Sequence, residues 1–465
     1  MKNLRKYLRT VMLFLMLVML LAAPAFANSA QSHWYGTDAV GTIVTGEDCP
    51  IVVEKERLSF DIGQFPEGYY REETEFHAYN ACVTAEYTFC NPADYEVRAT
   101  LLFPFGGVPD YGDAFGYADT YDITVNGEPV DYTLRHSLFF RGTQFKLERD
   151  LSYLHDGYMQ VAFYHPDMPV TFYAYRADGV DTETYKAATA AFALNADESK
   201  TRVLFENMNG GKSLDGGGMQ AEAWVEPDKM MGVYVIGEPL EDELEWKFYE
   251  NGACETEIEG VMTLVSTESM TLKDFATAEY DEKYGVLESD WYNAVITALD
   301  NCRGDGGIIP AFDMNFNMSH QLMQWYEYEI VIGPGQRIVN TVTAPIYPDI
   351  DGSYEPPVYE YTYLLSPAQT WAEFGTLDIA VNTPFYMLES GPEGFEYLNP
   401  GYEMHLEGLP DGELTFTLCS EAKPDAPGFG GLSGRTLLYA AGFIISIISS
   451  AVYLRRLEKK EMHDE

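Results

Sequence analysis

The sequence predicts a mainly β protein of antiparallel sandwich-like domains, with a mixed α/β middle segment and one C-terminal transmembrane helix. Three observations predict it. Apolar residues fall on every second position over long stretches near both ends of the chain, the period of a half-buried strand. Turn-forming residues separate those stretches. A 19-residue apolar run without a charge, Thr436–Leu454, ends in the basic cluster Arg455, Arg456, Lys459 and Lys460.

Residues 1–27 read as a secretory signal peptide. Lys2, Arg5, Lys6 and Arg9 form its charged start, Val11–Ala23 its apolar run, and Ala25-Phe26-Ala27 its cleavage site. Residues 28–180 are expected to form a β-sandwich-like domain. Val83, Ala85, Tyr87 and Phe89 alternate with polar residues, and Val97, Ala99, Leu101 and Phe103 repeat the pattern after the turn Asn91-Pro92-Ala93-Asp94. The pair reads as an antiparallel hairpin with one buried face. Asn126-Gly127, between Ile123/Val125 and Val130/Tyr132, is a strong two-residue hairpin signal.

Residues 181–318 form the mixed segment. Lys186–Leu194 is alanine-rich and reads as helical, whereas Gly210–Gly218 has five glycines in nine residues and reads as a loop. Short strands are expected at Val233–Ile236 and Val261–Val265, and helices at Leu272–Lys283 and Glu288–Asn301. The first helix opens on Thr271 with Asp274 three residues on, the spacing of a capping box. In the second, Trp291, Val295, Ala298 and Leu299 keep helical spacing.

The period of two returns in residues 319–422, a second β-rich region. It runs through Tyr326, Tyr328, Ile330 and Ile332 to the turn Gly333-Pro334-Gly335-Gln336, and on through Tyr359, Tyr361 and Tyr363 to Leu414, Phe416 and Leu418. Residues 423–435 read as a Pro/Gly stalk, 436–454 as the transmembrane helix and 455–465 as a cytoplasmic tail. The expected protein sits in the cell membrane by a single pass, with its ectodomain outside and its C-terminus in the cytoplasm. Gly442, Ser446 and Ser450 recur every four residues along the span, a small-residue stripe that would let two helices approach and form a homodimer.

The Glu54–Phe60 strand, the Val83–Phe105 stretch VTAEYTFCNPADYEVRATLLFPF and the Tyr361–Val381 stretch YTYLLSPAQTWAEFGTLDIAV together resemble an uncharacterised group of exported bacterial β-sandwich surface proteins. The resemblance covers about a third of the presumptive ectodomain and implies an exported β-fold. It brings no catalytic residues.

Charge narrows the function. The chain carries 73 acidic against 29 basic residues, a net charge of −44, and a surface so acidic repels phosphate. Nucleic acid is thereby excluded as a partner. The six cysteines allow disulfides or buried thiols, and the sequence does not choose; no C-x-x-C or Cys/His quartet points to zinc. The candidate metal ligands are Asp349, Asp351 and Glu355, whose D-x-D-G core fits calcium without completing a twelve-residue loop. Asp110, Asp113, Asp119 and Asp122 make a second acidic loop. No other cofactor is indicated. H-E-x-x-H and G-x-S-x-G are absent, and Gly211-Lys212-Ser213 lacks the first glycine of a phosphate loop, since Glu206 stands there.

The expected function is therefore binding, adhesion or an envelope scaffold by a membrane-anchored surface protein with an acidic β-rich ectodomain and a protein or glycan ligand. The alternative is a cell-envelope or glycan hydrolase using a pair of carboxylates, which needs two acids at a set separation rather than a motif.

Overall fold

The structure is a computed structural model. It describes residues 33–34, 39–44, 49–66, 80–105, 121–139, 145–206, 208–226, 229–302, 305–309 and 318–425. The alternating stretches become strands with one face turned inward. In Cys82–Cys90, residues Val83, Ala85, Tyr87 and Phe89 are buried, while the residues between them are half-buried or exposed. This strand lies at the centre of an eight-stranded sheet, flanked by Val52–Asp61 and Arg337–Pro345. Phe374–Asn382 extends the sheet beyond Val52–Asp61 in parallel, and Asp122–Val125 extends it on the other side.

A ten-stranded sheet packs over it. Val97–Phe105 pairs with Leu322–Ile332, which pairs with Thr133–Leu138, and Val358–Leu364 pairs with Leu414–Cys419. Between the sheets, Phe60 of one meets Phe416 and Tyr363 of the other edge-on, with ring centroids 5.1 and 6.0 Å apart. Each such buried ring contributes about 1.5–3 kcal/mol through the apolar surface taken from water. Tyr361 and Tyr363 of the tyrosine stripe thus belong to the core.

The expected hairpin of Val83–Phe89 with Val97–Phe103 does not form, because the two strands belong to opposite sheets. Asn91 turns the chain from one to the other. Its Nδ2 donates to the carbonyls of Tyr95 (2.8 Å) and Ile332 (2.9 Å), and its Oδ1 accepts from the Ala93 amide (2.9 Å). The Gly333–Gln336 turn makes a second corner beside it: the Asn91 amide donates to the Gln336 carbonyl, and the Gly335 amide to the Asn91 carbonyl, both at 3.0 Å. Asn126-Gly127 does form its tight hairpin, with φ of 53° and 80°.

Strands from 52–138 and from 322–419 therefore interleave in the same two sheets, and the chain between them is an insertion. The inserted unit holds a five-stranded sheet from Val261–Thr271 to Ile308–Ile309 and a four-stranded sheet from Gly210–Ser213 to Trp246–Tyr249. A core containing Phe192, Phe205, Val233 and Phe248 lies between them. The Glu288–Asn301 helix has the expected bounds and packs against Leu204, Ile236 and Phe275 in a neighbouring core. The Thr271/Asp274 capping box is present, but its helix stops at Ala276. The alanine-rich stretch is corrected to a strand, Thr189–Leu194, paired on both sides. There the small side chains fit a crowded sheet, and tertiary pairing outweighs alanine's helix propensity.

The membrane expectations also require correction. Among the described residues no helix is long and apolar enough to cross a membrane. The longest, Glu288–Asn301, has 14 residues and a length of about 21 Å, and it buries Asp290 and Asn293 inside a protein core. Residues 1–27 and 436–454 lie outside the described residues, as do Gly442, Ser446 and Ser450. The transmembrane helix, the single-pass location, the membrane as partner and a homodimer through Gly442, Ser446 and Ser450 are withdrawn accordingly.

Candidate functional site: an acidic cleft in the inserted unit

Thr201–Phe205 and Met230–Gly237 are neighbouring strands, and where they end the backbone comes unusually close. A Cβ on Gly237 would lie 2.2 Å from the Lys200 carbonyl, and the residue has a φ of 99°. Glycine alone fits there. The next amide, of Glu238, donates to the Lys200 carbonyl at 2.9 Å, and the Thr201 hydroxyl donates to the Glu238 carbonyl at 2.8 Å. The start of segment 238–245 is fixed to the sheet in this way.

That segment reads Glu-Pro-Leu-Glu-Asp-Glu-Leu-Glu. Leu240 and Leu244 pack against the core between the two sheets of the inserted unit. Glu238, Glu241, Asp242, Glu243 and Glu245 are all exposed and form no ion pair among the described residues. Facing them are Ala191, Ala193, Asn195 and Asp197, and the walls enclose a cleft of about 1060 Å³. Asp197 accepts from the Ser199 amide (3.0 Å) and hydroxyl (2.6 Å), and these bonds hold its carboxyl below the usual range. Lys200 and Lys247 also line the cleft, but Lys247 points its ammonium at Glu257, 3.0 Å away and outside it. Six carboxylates thus share one solvent-filled space with a single ammonium not drawn elsewhere by an ion pair, an arrangement that attracts multivalent cations.

A different carboxyl is strongly perturbed. Glu56 is fully buried in the sandwich core, and burial pushes its carboxyl up to about 7 against the lowering effect of bonds from Tyr87 and Tyr363. Tyr363 lies 3.2 Å from Oε1 and 3.1 Å from the Tyr87 hydroxyl, which accepts from the Thr42 amide at 3.1 Å. Glu56 does not line the cleft. Among the described residues no second acid faces it, so it supplies no carboxylate pair there.

The sequence-predicted sites fare differently. Asp349 and Asp351 lie on the short strand Asp349–Asp351, where Asp351 caps the turn by accepting from the Ser353 amide at 2.8 Å. Glu355 forms a backbone bridge with Asp425. Among the described residues, no group of three or more His, Cys, Asp or Glu side chains is placed to hold a metal ion. Asp110, Asp113 and Asp119 lie outside the described residues, and Asp122 begins a strand. The described cysteines are all thiols. Sequence reasoning missed the 238–245 segment, although five acids in eight residues, broken only by proline and two core-facing leucines, were a readable signal.

No family model and no curated protein matches the chain. Among solved structures, it is similar to a Legionella pneumophila protein described as a "putative nutrient binding protein", at 10% identity over 83% of this chain and 72% of the other, with a TM-score of 0.36.

Proposed function

We propose that this is a binding protein whose inserted unit holds a flexible polycation, with ammonium groups strung along an aliphatic chain. The observation that carries the reading is the set of six carboxylates around one cleft, none of them in an ion pair among the described residues. Several supporting features agree. The cleft is of a size that takes a small ligand or a few residues of peptide. Ala193, exposed on its wall, offers a methyl group to the methylenes of such a ligand. Its acids are all exposed, which suits charge complementarity; a general acid for glycoside cleavage needs a carboxyl shielded from water, and none lines this space.

The test is calorimetric titration of the full chain with spermidine and, separately, with trilysine. We expect saturable binding that weakens as salt rises from about 0.02 to about 0.2 M, because exposed charges are screened over about 10 Å. Stronger binding of spermidine assigns the site to amines, and stronger binding of trilysine to basic peptides. An absence of heat with both ligands at low salt contradicts the reading.

A further inference from the structure

The outer face of the eight-stranded sheet carries another cavity, about 460 Å³ in volume, which shares no lining residue with the acidic cleft. Its floor is Ala380 of the Phe374–Asn382 strand. Register sets Asp378 of that strand between Arg57 and His405, and Ala380 beside Glu403, which in turn stands opposite Glu396. Larger side chains around a short one make the hollow, and Leu398, 52% exposed, gives it an apolar wall. The two rows carry opposite charge. In the first, Lys55 and His405 share the Asp378 carboxylate, with His405 Nδ1 2.6 Å from Oδ1, and the bonds to Asp378 and Glu407 push the His405 ring above its ordinary value. Arg57 has Glu86 and Asp378 as its register neighbours, yet it is exposed and forms no ion pair among the described residues. In the second row, Glu403 and Glu396 are both exposed and likewise form no ion pair among the described residues. Like charges directly opposite each other destabilise a sheet, and a cation set between them relieves that repulsion.

We infer that this hollow binds a free α-amino acid with an aliphatic side chain, its carboxylate on Arg57, its ammonium at Glu403 and Glu396, and its side chain against Leu398. The guanidinium is a planar fork that matches a carboxylate. The two rows lie two residues, about 7 Å, apart along the strands, which suits a ligand whose ammonium and carboxylate share one carbon. A cavity of this volume takes a small molecule. A ligand with a carboxylate alone is repelled by a chain of net charge −44, and one with an ammonium alone meets Arg57; a molecule carrying both charges avoids each penalty. This site is independent of the polycation reading of the cleft.

The experiment is calorimetric titration of the full chain with L-leucine, carried to about 10 mM, with an expected dissociation constant of about 1 mM or tighter. 4-Methylpentanoate, which lacks the ammonium, and 3-methylbutylamine, which lacks the carboxylate, should each bind at least tenfold more weakly. Arg57→Gln and, separately, Glu403→Gln should weaken leucine at least tenfold with an unchanged circular dichroism spectrum, since both side chains are exposed. Ala380→Leu, which fills the floor and leaves both charges in place, should also abolish binding. Glu241→Gln/Glu243→Gln/Glu245→Gln, in the cleft, should leave leucine binding unchanged. No heat with leucine overturns the proposal, as does equal affinity in the native chain and Arg57→Gln, or an amine that binds as well as leucine. Tighter binding of leucylglycine than of leucine overturns the assignment to a free amino acid in favour of a short peptide.

Discussion

The guanidinium of Arg135 lies against the carboxylate of Asp290, with Nε 3.2 Å from Oδ2 and Nη2 3.2 Å from Oδ1, and joins the sandwich to the inserted unit. Arg135 belongs to the Thr133–Leu138 strand and Asp290 to the first turn of the Glu288–Asn301 helix. Both side chains are buried, and both are completed by other bonds: Arg135 donates to the His155 carbonyl at 2.7 Å, and Asp290 accepts from the His136 amide at 2.8 Å. Burial, aided by the Arg135 charge, holds the His136 ring down to about 4, so it is neutral beside the pair.

Breaking this pair should therefore be costly. Asp290→Ala leaves a buried guanidinium without its main partner, and we expect a loss of about 3–5 kcal/mol in urea unfolding. Replacing both residues by apolar ones of similar size, Arg135→Met with Asp290→Leu, should cost less than the single change. A double variant as unstable as Asp290→Ala would show that lost packing, rather than an orphaned charge, dominates.

Glu56 gives the sandwich a pH dependence. Folded, its carboxyl keeps a proton up to about pH 7; unfolded, it loses the proton near the ordinary value of 4.5. Its contribution to stability is thus fully present below 4.5 and is lost as pH rises through 7. The difference corresponds to about 3 kcal/mol at 1.36 kcal/mol per pH unit. Glu56→Gln should flatten that part of the profile, read as the difference between native and variant urea midpoints from about pH 4 to about pH 8. Parallel profiles for the two proteins would remove Glu56 as the cause.

Gly41 lies against the same network. A Cβ there would stand 2.8 Å from the Tyr87 hydroxyl and 3.1 Å from that of Tyr363, both of them fully buried. Gly41→Ala should destabilise the chain by about 1–3 kcal/mol through overpacking. Thermal melting checks this as a double-mutant cycle: Gly41→Ala should cost less in the Tyr87→Phe background, where the crowding hydroxyl is gone, than in the native chain.

The sequence carried the strands and half of each corner. Val83 to Phe89 and Tyr326 to Ile332 announced one buried face each, and that face is buried. Alternation says nothing of which sheet a strand joins, so Asn91 read as a hairpin turn when it is a corner between sheets. The insertion was hidden for a related reason: strands at 52–138 and 322–419 pair across 184 residues or more, and no local pattern records that distance. Lys186–Leu194 misled because alanine's propensity is weak beside two flanking strands. In the cleft, charge abundance concealed the site. Seventy-three acids make any one cluster unremarked until Gly237 and Thr201 are seen to pin 238–245 across from Asp197.

The measurement that bears most directly on the cleft as a polycation site is calorimetric titration of spermidine into the native chain and into Glu241→Gln/Glu243→Gln/Glu245→Gln. These side chains are exposed, so the variant should fold with an unchanged melting midpoint. The account predicts that the variant binds at least tenfold more weakly and loses most of the salt dependence. Equal affinity and equal salt dependence in the two proteins would contradict it.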